Sequence, residues 1–240
     1  MDFSRTKIIC TIGPATSSMP VLKSLYNNGM NVVRINMSHA THKFAKSVID
    51  KVNKINLDPK SKHGSIGVLL DTQGPEIRTG DTEVPVDLNV GDEVTLTVRD
   101  EIDVETSSIK INYKDLIHSV NKGSKITVDN GLINFSVISK DEETLLCKVI
   151  DGGTLGSKRH VNLPGVRVNL PSITSKDFDD ISFGIDNNVD FIALSFVRNK
   201  EDLEELQNIL DKRKSPAKII AKIENQEGLD NIVEPDPGVH

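Results

Sequence analysis

The sequence predicts an α/β protein: part of a parallel (β/α)8 barrel, incomplete in this chain, with a small all-β domain inserted. Residues 1–79 repeat a strand–helix order, residues 80–164 alternate with period two, and residues 165–240 return to strand–helix order. The five strands predicted outside the insertion are too few to close an eight-stranded barrel. An open doubly wound sheet stays possible, but no glycine-rich phosphate loop follows the first strand.

The first barrel part, residues 1–79, contains three apolar runs that predict buried strands. These strands are Lys7–Ile12, Asn31–Met37 and Ser65–Leu70. Apolar stripes with helical spacing lie between them, and each is preceded by a capping residue, Ser17 or Ser18 for the first helix and Thr41 for the second. Because strands and helices alternate, the strands are expected to be parallel.

The inserted domain, residues 80–164, is predicted from short segments in which apolar and polar residues alternate. The alternating apolar residues are Val84, Val86 and Leu88; Val94, Leu96 and Val98; Ile109 and Ile111; Ile126 and Val128. Turn sequences separate them at Asn89–Asp92, Asp129–Gly131 and Lys140–Glu143. This pattern is typical of a small all-β module of short strands.

The barrel is predicted to continue over residues 165–240. A capping box of Thr174 and Asp177 begins a helix whose expected core face is Phe178, Ile181 and Ile185. A strand follows at Asp190–Phe196, and then a helix capped by Asn199. The last strand is the apolar run Ile219-Ile220-Ala221, and a further helix is expected near Gly228–Ile232 before Pro235 and Pro237 interrupt the pattern.

Composition excludes several classes of protein. The net charge of −6 argues against a general nucleic-acid coat and against a polybasic membrane surface, so neither partner is expected. No apolar run approaches the ~20 residues of a membrane span, and the N-terminus has no signal-peptide core. Cys10 and Cys147 lie in apolar runs, which predicts two buried reduced thiols and a cytoplasmic protein.

Polar residues cluster at the ends of the second and third strands. Arg34, Asn36, Ser38 and His39 end the second, and Asp71 and Thr72 end the third, with Arg78 a few residues further on. An arginine fork suits phosphate or carboxylate, and the neighbouring amide, hydroxyl and carboxylate oxygens suit a hard cation. The alternatives are equally simple: a polar strand end bonded to its own loop, a surface histidine at His39, and a turn-capping Asp-Thr pair.

The fourth and fifth strand ends complete the set. Ser195, Phe196 and Arg198 are interpreted as packing residues and a solvated arginine. Lys222 and Glu224 share one face of a strand, either as a plain ion pair or as a functional pair. Glu224 is suited to Mg²⁺ or Mn²⁺, and Lys222 to an anion that moves across the site. Together the strand ends favour phosphoryl transfer, in which catalysis depends on positioning and charge neutralisation.

Six motifs along the chain resemble the pyruvate kinase family. They are Thr6–Pro14, Gly29–His39, Leu70–Gly80, Val161–Gly165, Ala193–Arg198 and Ala221–Gly228. The resemblance covers essentially residues 4–232 and implies a TIM-type barrel with a mobile β lid inserted after its third strand. Two departures are visible: Gln73 stands where the family commonly has Lys, and Val233–His240 does not resemble the family's continuation.

The resemblance implies transfer of phosphate from phosphoenolpyruvate to ADP, giving pyruvate and ATP in glycolysis, with Mg²⁺ (or Mn²⁺) and K⁺ as cofactors. It implies that Arg34 grips the substrate phosphate, that Lys222 stabilises the phosphoryl group in flight, and that Glu224 holds Mg²⁺. The implied K⁺ ligands are Asn36, Ser38, Asp71 and Thr72, and the implied nucleotide-side residues are His39, Arg78, Lys158 and Arg159. A homotetramer is implied for the full-length form.

Two alternatives remain open from the sequence. The family continues into an Arg-Gly-Asp-bearing strand that carries its second metal carboxylate, and this chain has no such motif after Gly228. A catalytically incompetent fragment of the enzyme is therefore one alternative. The other is a metal-dependent lyase of the phosphoenolpyruvate/pyruvate barrels, a class that has neither the residue 80–164 insertion nor the Arg34–His39 cluster.

Overall fold

The computed structural model describes residues 6–59, 64–99, 108–166 and 168–232. The chain divides into two compact units, here called the βα unit (Met1–Pro75 and Pro171–His240) and the β unit (Glu76–Leu170). The strands are β1 Ile8–Thr11, β2 Met30–Asn36, β3 Gly67–Asp71, β4 Val86–Leu88, β5 Glu93–Thr97, β6 Ser108–Lys110, β7 Lys125–Val128, β8 Ile133–Lys140, β9 Thr144–Asp151, β10 Gly153–Leu155, β11 Val161–Asn162, β12 Phe191–Leu194 and β13 Lys218–Ala221. The helices are α1 Met19–Asn27, α2 His42–Asn56, α3 Leu116–Ser119, α4 Ser175–Asp186, α5 Lys200–Lys212 and α6 Gln226–Asp230.

The βα unit is built on one five-stranded sheet in the order β1-β2-β3-β12-β13, in which every pairing is parallel. Spatial order follows chain order without the reversal that defines a doubly wound sheet. The α/β class predicted from the sequence is therefore confirmed, and the sheet order is that of a singly wound barrel segment.

Helices of the βα unit cover the sheet through one apolar cluster. The buried stripe of α2 consists of Ala45, Val48, Ile49, Val52 and Ile55, and its N-terminus is capped by Thr41, whose hydroxyl accepts from Phe44 N. Helix α4 begins with the predicted capping box of Thr174 and Asp177. Ile181 of α4 is fully buried, but Phe178 is 49% exposed, so its assignment to the core face was wrong.

The two outer strands of this sheet are less buried than the inner ones. Ile8 and Ile9 of β1 are exposed, and β13 has exposed residues at both of its ends. Cys10 lies on β1 and is only partly buried, whereas Cys147 lies in the core of the β unit with no exposure. The prediction of two buried thiols is therefore right for Cys147 and wrong for Cys10, because β1 has a neighbour in this sheet on one side alone.

The β unit has its own core and two sheets. The larger has the order β11-β7-β8-β9-β5-β6, antiparallel except for β5 and β6, and the smaller pairs β10 with β4. The predicted turn at Asp129–Gly131 joins β7 to β8, and all three residues have positive φ, of 53°, 57° and 87°. Val84, which the alternation placed in a strand, precedes β4 and is exposed. Within the described residues, every helix is too short or too polar to span a lipid bilayer.

Candidate functional site

The carboxyl ends of β2, β3, β12 and β13 bring four charged side chains together in the βα unit. Asp71 ends β3 and is 1% exposed. Two cations meet at its carboxylate: Arg34 from the neighbouring strand β2, and Lys222 from the residue after β13. Glu224 lies beyond Lys222 and contacts the same ammonium. Parallel strands bring these residues together because their carboxyl ends lie along one edge of the sheet.

Arg34 is anchored on two sides. Its Nε donates to Asp71 Oδ2 at 2.8 Å, and its Nη2 contacts the same oxygen. Its Nη1 donates to Thr11 Oγ1, at the end of β1, at 2.8 Å. About a third of the side chain is exposed, so the guanidinium is oriented by the protein while part of it remains accessible to an anion.

The Lys222 ammonium is surrounded by three oxygen atoms. Nζ lies 2.8 Å from Ser195 Oγ, 3.1 Å from Asp71 Oδ1 and 3.2 Å from Glu224 Oε1. An ammonium group has three donors, so these three oxygens match its donors in number. The side chain is 28% exposed, which leaves the cation oriented by the protein and still open to solvent.

Ser195 belongs to this site, although its sequence context favoured simple packing. It follows β12 and is 2% exposed. Its Oγ donates to Thr72 O at 2.7 Å, and its backbone N donates to Thr72 Oγ1 at 3.2 Å. A serine within an apolar run gives no sequence signal of its role, because the role depends on which residues lie opposite it in the sheet.

Glu224 is held through the backbone of Phe196. The Phe196 N–H donates to Glu224 Oε2 at 3.1 Å, and Asn225 Nδ2 donates to Phe196 O at 3.2 Å. Phe196 has φ of +58°, in the left-handed region that non-glycine residues rarely adopt. The strand predicted at Asp190–Phe196 therefore ends at Leu194, two residues earlier than the apolar pattern suggested.

The remaining predicted residues of the second strand end are arranged more locally. Asn36 lies opposite Asp71 in the β2–β3 register, but its Oδ1 accepts from Ser38 N at 3.0 Å, within its own loop. His39 is exposed two residues beyond Met37. For the side-chain amide of Asn36, the structure therefore agrees with the alternative in which a polar strand end bonds to its own loop.

Arg198 is separate from the site. Its Nε and Nη2 donate to Asp202 at 3.1 and 2.9 Å, and this hydrogen bond raises the pKa of the Arg198 guanidinium. The interpretation of Arg198 as a solvated arginine was wrong, because Asp202 in the first turn of α5 pairs with it. Their spacing of four residues was the available sequence signal.

The predicted nucleotide-side residues of the β unit lie on one surface. Backbone bonds join Thr79 N to Arg159 O at 2.8 Å and Lys158 N to Gly80 O at 3.0 Å, and the Arg78 Nη1 donates to Lys158 O at 2.9 Å. Each cation also has a carboxylate beside it: Glu76 for Arg78, Asp81 for Lys158 and Asp129 for Arg159. The three basic side chains thus form a group that we call the basic trio.

The βα site contains carboxylate oxygens that are candidates for binding a cation. Asp71 Oδ1 is buried and, apart from the 3.1 Å approach of the Lys222 ammonium, has no hydrogen-bond partner. A buried carboxylate oxygen in this state is a suitable ligand for a hard cation. Across the described ranges, no group of three or more His, Cys, Asp or Glu residues could hold a metal ion. A site of Mg²⁺ in a protein often uses only one or two carboxylates together with substrate oxygens, so a single carboxylate such as Glu224 has the right chemistry for a ligand.

The fold and site define a βα-barrel segment with an inserted β unit and a strand-end site of two cations and two carboxylates. The family model described as "Pyruvate kinase, barrel domain" matches residues 3–235. The chain therefore belongs to the pyruvate kinase family.

Individual relatives agree with the family match. Pyruvate kinase of Staphylococcus epidermidis (strain RP62A) is 47% identical over 233 residues, which is 96% of this chain and 39% of that protein. Plastidial pyruvate kinase 2 of Arabidopsis thaliana is 42% identical over 229 residues, covering 95% and 39%. Pyruvate kinase of Staphylococcus aureus (strain USA300) is 44% identical over 233 residues, covering 96% and 39%. The chain spans about two fifths of the length of these relatives.

Proposed function

We propose that this chain carries the substrate side of a pyruvate kinase active site, for transfer of a phosphoryl group from phosphoenolpyruvate to ADP, giving pyruvate and ATP in glycolysis. The observation that carries the proposal is the Lys222 ammonium, surrounded by Ser195, Asp71 and Glu224 and still 28% exposed. A phosphotransferase needs such a group because the transferring phosphoryl group is anionic throughout. Membership of the family supports the same function.

The two cations have different tasks in this proposal. Arg34, oriented by Asp71 and Thr11, grips the substrate phosphate with the accessible part of its planar fork. Lys222 is a compact charge on a flexible stem, which suits an anion that moves between two oxygens. Neither group forms a covalent bond, so their contribution is positioning and charge neutralisation.

Two bound metal ions are also part of the proposal. Glu224 would hold Mg²⁺ (or Mn²⁺), and Asn36, Ser38, Asp71 and Thr72 would hold K⁺, with Thr72 contributing its backbone oxygen. When bound, these ions supply positive charge that neutralises phosphate oxygens and the developing enolate. The buried Asp71 Oδ1, approached by the Lys222 ammonium at 3.1 Å, and the Glu224 carboxylate, about a third exposed, support this assignment.

The β unit is proposed as the nucleotide-binding lid of a TIM-type barrel, with domain boundaries near residues 1–79, 80–164 and 165–240. Each side chain of the basic trio contacts a carboxylate of the same unit, Arg78 also donates to Lys158 O, and Lys158 and its partner Asp81 are largely exposed. We propose that ADP phosphates replace these carboxylates, since a phosphate carries more charge than the group it displaces. His39, on the βα unit, is proposed to contact the nucleotide as well. A cytoplasmic location, and a homotetramer for the full-length form, complete the proposal.

Pyruvate formation from phosphoenolpyruvate and ADP, with Mg²⁺ and K⁺, tests the function. We expect turnover by the wild-type chain and a fall of at least about 10²–10³ for Lys222→Met, because a charge partner of the transferring group is lost. Lys218→Met is the matched control: it lies at the start of the same strand and is exposed.

The outcomes separate the alternatives. Wild-type turnover in Lys222→Met would overturn the role of Lys222, and an equal loss in Lys218→Met would show that the substitution acts through the strand. A folded wild-type chain without turnover would favour the incompetent fragment. Release of pyruvate from a larger 2-oxo acid, with a C–C bond broken and no need for ADP, would favour a lyase.

A further inference from the structure

We propose that Ser195 and Phe196, the two residues after β12, are the positioning element for Lys222 and Glu224. Ser195 contacts the ammonium of Lys222 and Phe196 contacts the carboxylate of Glu224, at 2.8 and 3.1 Å. One short segment therefore orients both members of the pair. The inference rests on the proposed function for the roles of Lys222 and Glu224 in the reaction. The contacts that orient these two side chains do not depend on any reaction.

Of the three side chains that contact the Lys222 ammonium, Ser195 is the one without charge. Its hydroxyl proton is directed to Thr72 O at 2.7 Å, which leaves its lone pair for the Lys222 ammonium. The other two oxygens near Nζ belong to carboxylates, which repel an incoming phosphoryl group. The Ser195 hydroxyl adds no negative charge, so it holds the ammonium in place while an anion approaches.

Phe196 has a backbone conformation that points to function. Its φ of +58° is an outlier for a bulky residue, and such outliers concentrate at sites where the surrounding structure maintains them. In this conformation its N–H is directed at Glu224 Oε2 and its carbonyl accepts from Asn225 Nδ2 at 3.2 Å. The positive φ of Phe196 therefore directs its N–H, a hydrogen-bond donor, at Glu224, the proposed metal ligand.

Gly74 makes room for this segment. A Cβ on Gly74 would lie 2.8 Å from both Phe196 Cδ2 and Ser195 Cβ, closer than real Cβ contacts allow. Gly74 has φ of +74°, and its N–H donates at 2.9 Å to the fully buried Asp177 Oδ1 in the first turn of α4. Ser195 and Phe196 thus rest against a loop that is itself fixed by a buried carboxylate.

The test measures the order of the Lys222 ammonium by ¹⁵N relaxation NMR, with its signal identified by its absence in Lys222→Met. In the wild type we expect the ammonium to be more ordered than that of Lys200, whose side chain is 80% exposed. Ser195→Ala removes the uncharged contact, and Gly74→Ala pushes on both residues of the segment. Both variants are expected to lower the order of the Lys222 ammonium towards that of Lys200, although Asp71 and Glu224 still contact it.

Two matched controls separate positioning from general loosening. Ser172→Ala removes another buried serine hydroxyl of the βα unit, one that contacts Glu205. Gly64→Ala places a Cβ at a nearly identical φ of +76°, where nothing lies within 4 Å. Both are expected to keep the wild-type order of Lys222.

Each outcome decides the proposal. Unchanged order in Ser195→Ala overturns it, and so does an equal loss of order in Ser172→Ala or Gly64→Ala. If Gly74→Ala fails to fold, Ser195→Ala decides alone, with Ser195→Cys keeping the side-chain volume. The measurement needs no turnover. If the wild-type chain transfers no phosphoryl group but Ser195→Ala still lowers the order of the Lys222 ammonium, the positioning element stands and only the proposed reaction is overturned.

Discussion

The strand-end site of the βα unit and the basic trio of the β unit satisfy their charged groups in different ways. In the βα unit a single buried carboxylate, Asp71, serves two cations from two other strands, one of them 37 residues away in sequence. In the β unit each cation of the basic trio has its own carboxylate. The Asp141 carboxylate of that unit is satisfied within its own turn, by residues two and three positions away.

This difference predicts how the units respond to the loss of one charge. Water and salt weaken interactions between charges at exposed sites, and they weaken those at buried sites much less. Lys158 and Asp81 are 67% and 72% exposed, so their pairing contributes little to stability. The Asp71 side chain is 2% exposed, and its loss leaves two cations without their shared partner. The βα site is therefore interdependent, and the basic trio is modular.

The largest expected difference between the units concerns their two thiols. Burial raises the pKa of Cys147 to about 12, so at pH 8 only about 10⁻⁴ of it is thiolate. A thiol with the usual pKa of 9.0 has roughly 10³ times more thiolate at that pH. We expect iodoacetamide to modify Cys10 readily in the native protein. Cys147 should be modified about 10³-fold faster in urea than in the native protein. Mass spectrometry of the modified peptides gives both rates.

Equal native rates at the two cysteines would contradict the placement of Cys147 in a closed core. The raised pKa also has a consequence for stability. Because the folded pKa lies above the usual value of 9.0, stability is fully present below pH 9 and decreases as pH rises from about 9 to 12. Cys147→Val removes the thiol, so the difference between the two proteins should change over that range alone.

Asp71→Asn should have the next largest effect. Breaking a buried ion pair costs about 3–5 kcal/mol, and because Arg34 and Lys222 are partly exposed and can be hydrated, we expect about 3 kcal/mol here, or about 10² in the unfolding equilibrium. The chain has no Trp and two Tyr, Tyr26 in the βα unit and Tyr113 in the β unit, both buried. In a Tyr113→Phe background, Tyr26 fluorescence during urea unfolding reports the βα unit.

The matched control is Asp81→Asn, which breaks the exposed pair with Lys158. In a Tyr26→Phe background, in which Tyr113 reports the β unit, we expect a change below about 0.5 kcal/mol. Similar losses in the two variants would remove the distinction between an interdependent site and a modular one.

Much of the fold followed from periodicity. Alternating apolar runs and helical stripes predicted every strand of the five-stranded sheet, because buried parallel strands are long apolar runs. Strands β8 and β9, of eight residues each, were not named among the predicted alternating segments. The other errors lie where the runs are short or the backbone is unusual. Helix α3 has four residues and β11 two, too few for a period to be visible. The strand ending at Phe196 was placed too long because positive φ has no signature in an apolar side chain.

Much of the candidate site also followed from the sequence, for a geometric reason. Residues at the carboxyl ends of parallel strands must be neighbours, so Arg34, Asp71, Lys222 and Glu224 could be grouped without coordinates. The contribution of Ser195 could not, because a small hydroxyl within an apolar run resembles any buried serine. The amide of Asn36 is directed to its own loop by a local hydrogen bond that strand alternation cannot show.

Glu224→Gln sharpens the comparison on the side of metal binding. We expect Mn²⁺, used as the probe alone, to bind about tenfold more weakly, because a neutral amide replaces the carboxylate ligand while keeping its shape. Glu143→Gln is the control, since Glu143 lies in an exposed pair with Arg99 in the β unit. Electron paramagnetic resonance of free Mn²⁺ measures both affinities, and an unchanged titration in Glu224→Gln would refute the assignment of Glu224.

The smallest effect is expected at Asp141, where the β unit satisfies a carboxylate locally. Oδ1 of Asp141 accepts from Glu143 N at 2.9 Å and Thr144 N at 2.7 Å, and Oδ2 accepts from Thr144 Oγ1 at 2.7 Å. These bonds, that from Glu143 first, hold the pKa of Asp141 below its usual value of 3.8. A lowered folded pKa means that the stabilisation is present above about pH 4 and is lost as pH falls through the folded pKa.

Asp141→Asn keeps the shape and removes the charge, so its stability should differ from that of the wild type at pH 7 and converge with it at low pH. Tyr113 fluorescence in the Tyr26→Phe background measures that difference, and a gap that persists in acid would show that shape and not charge maintains the turn.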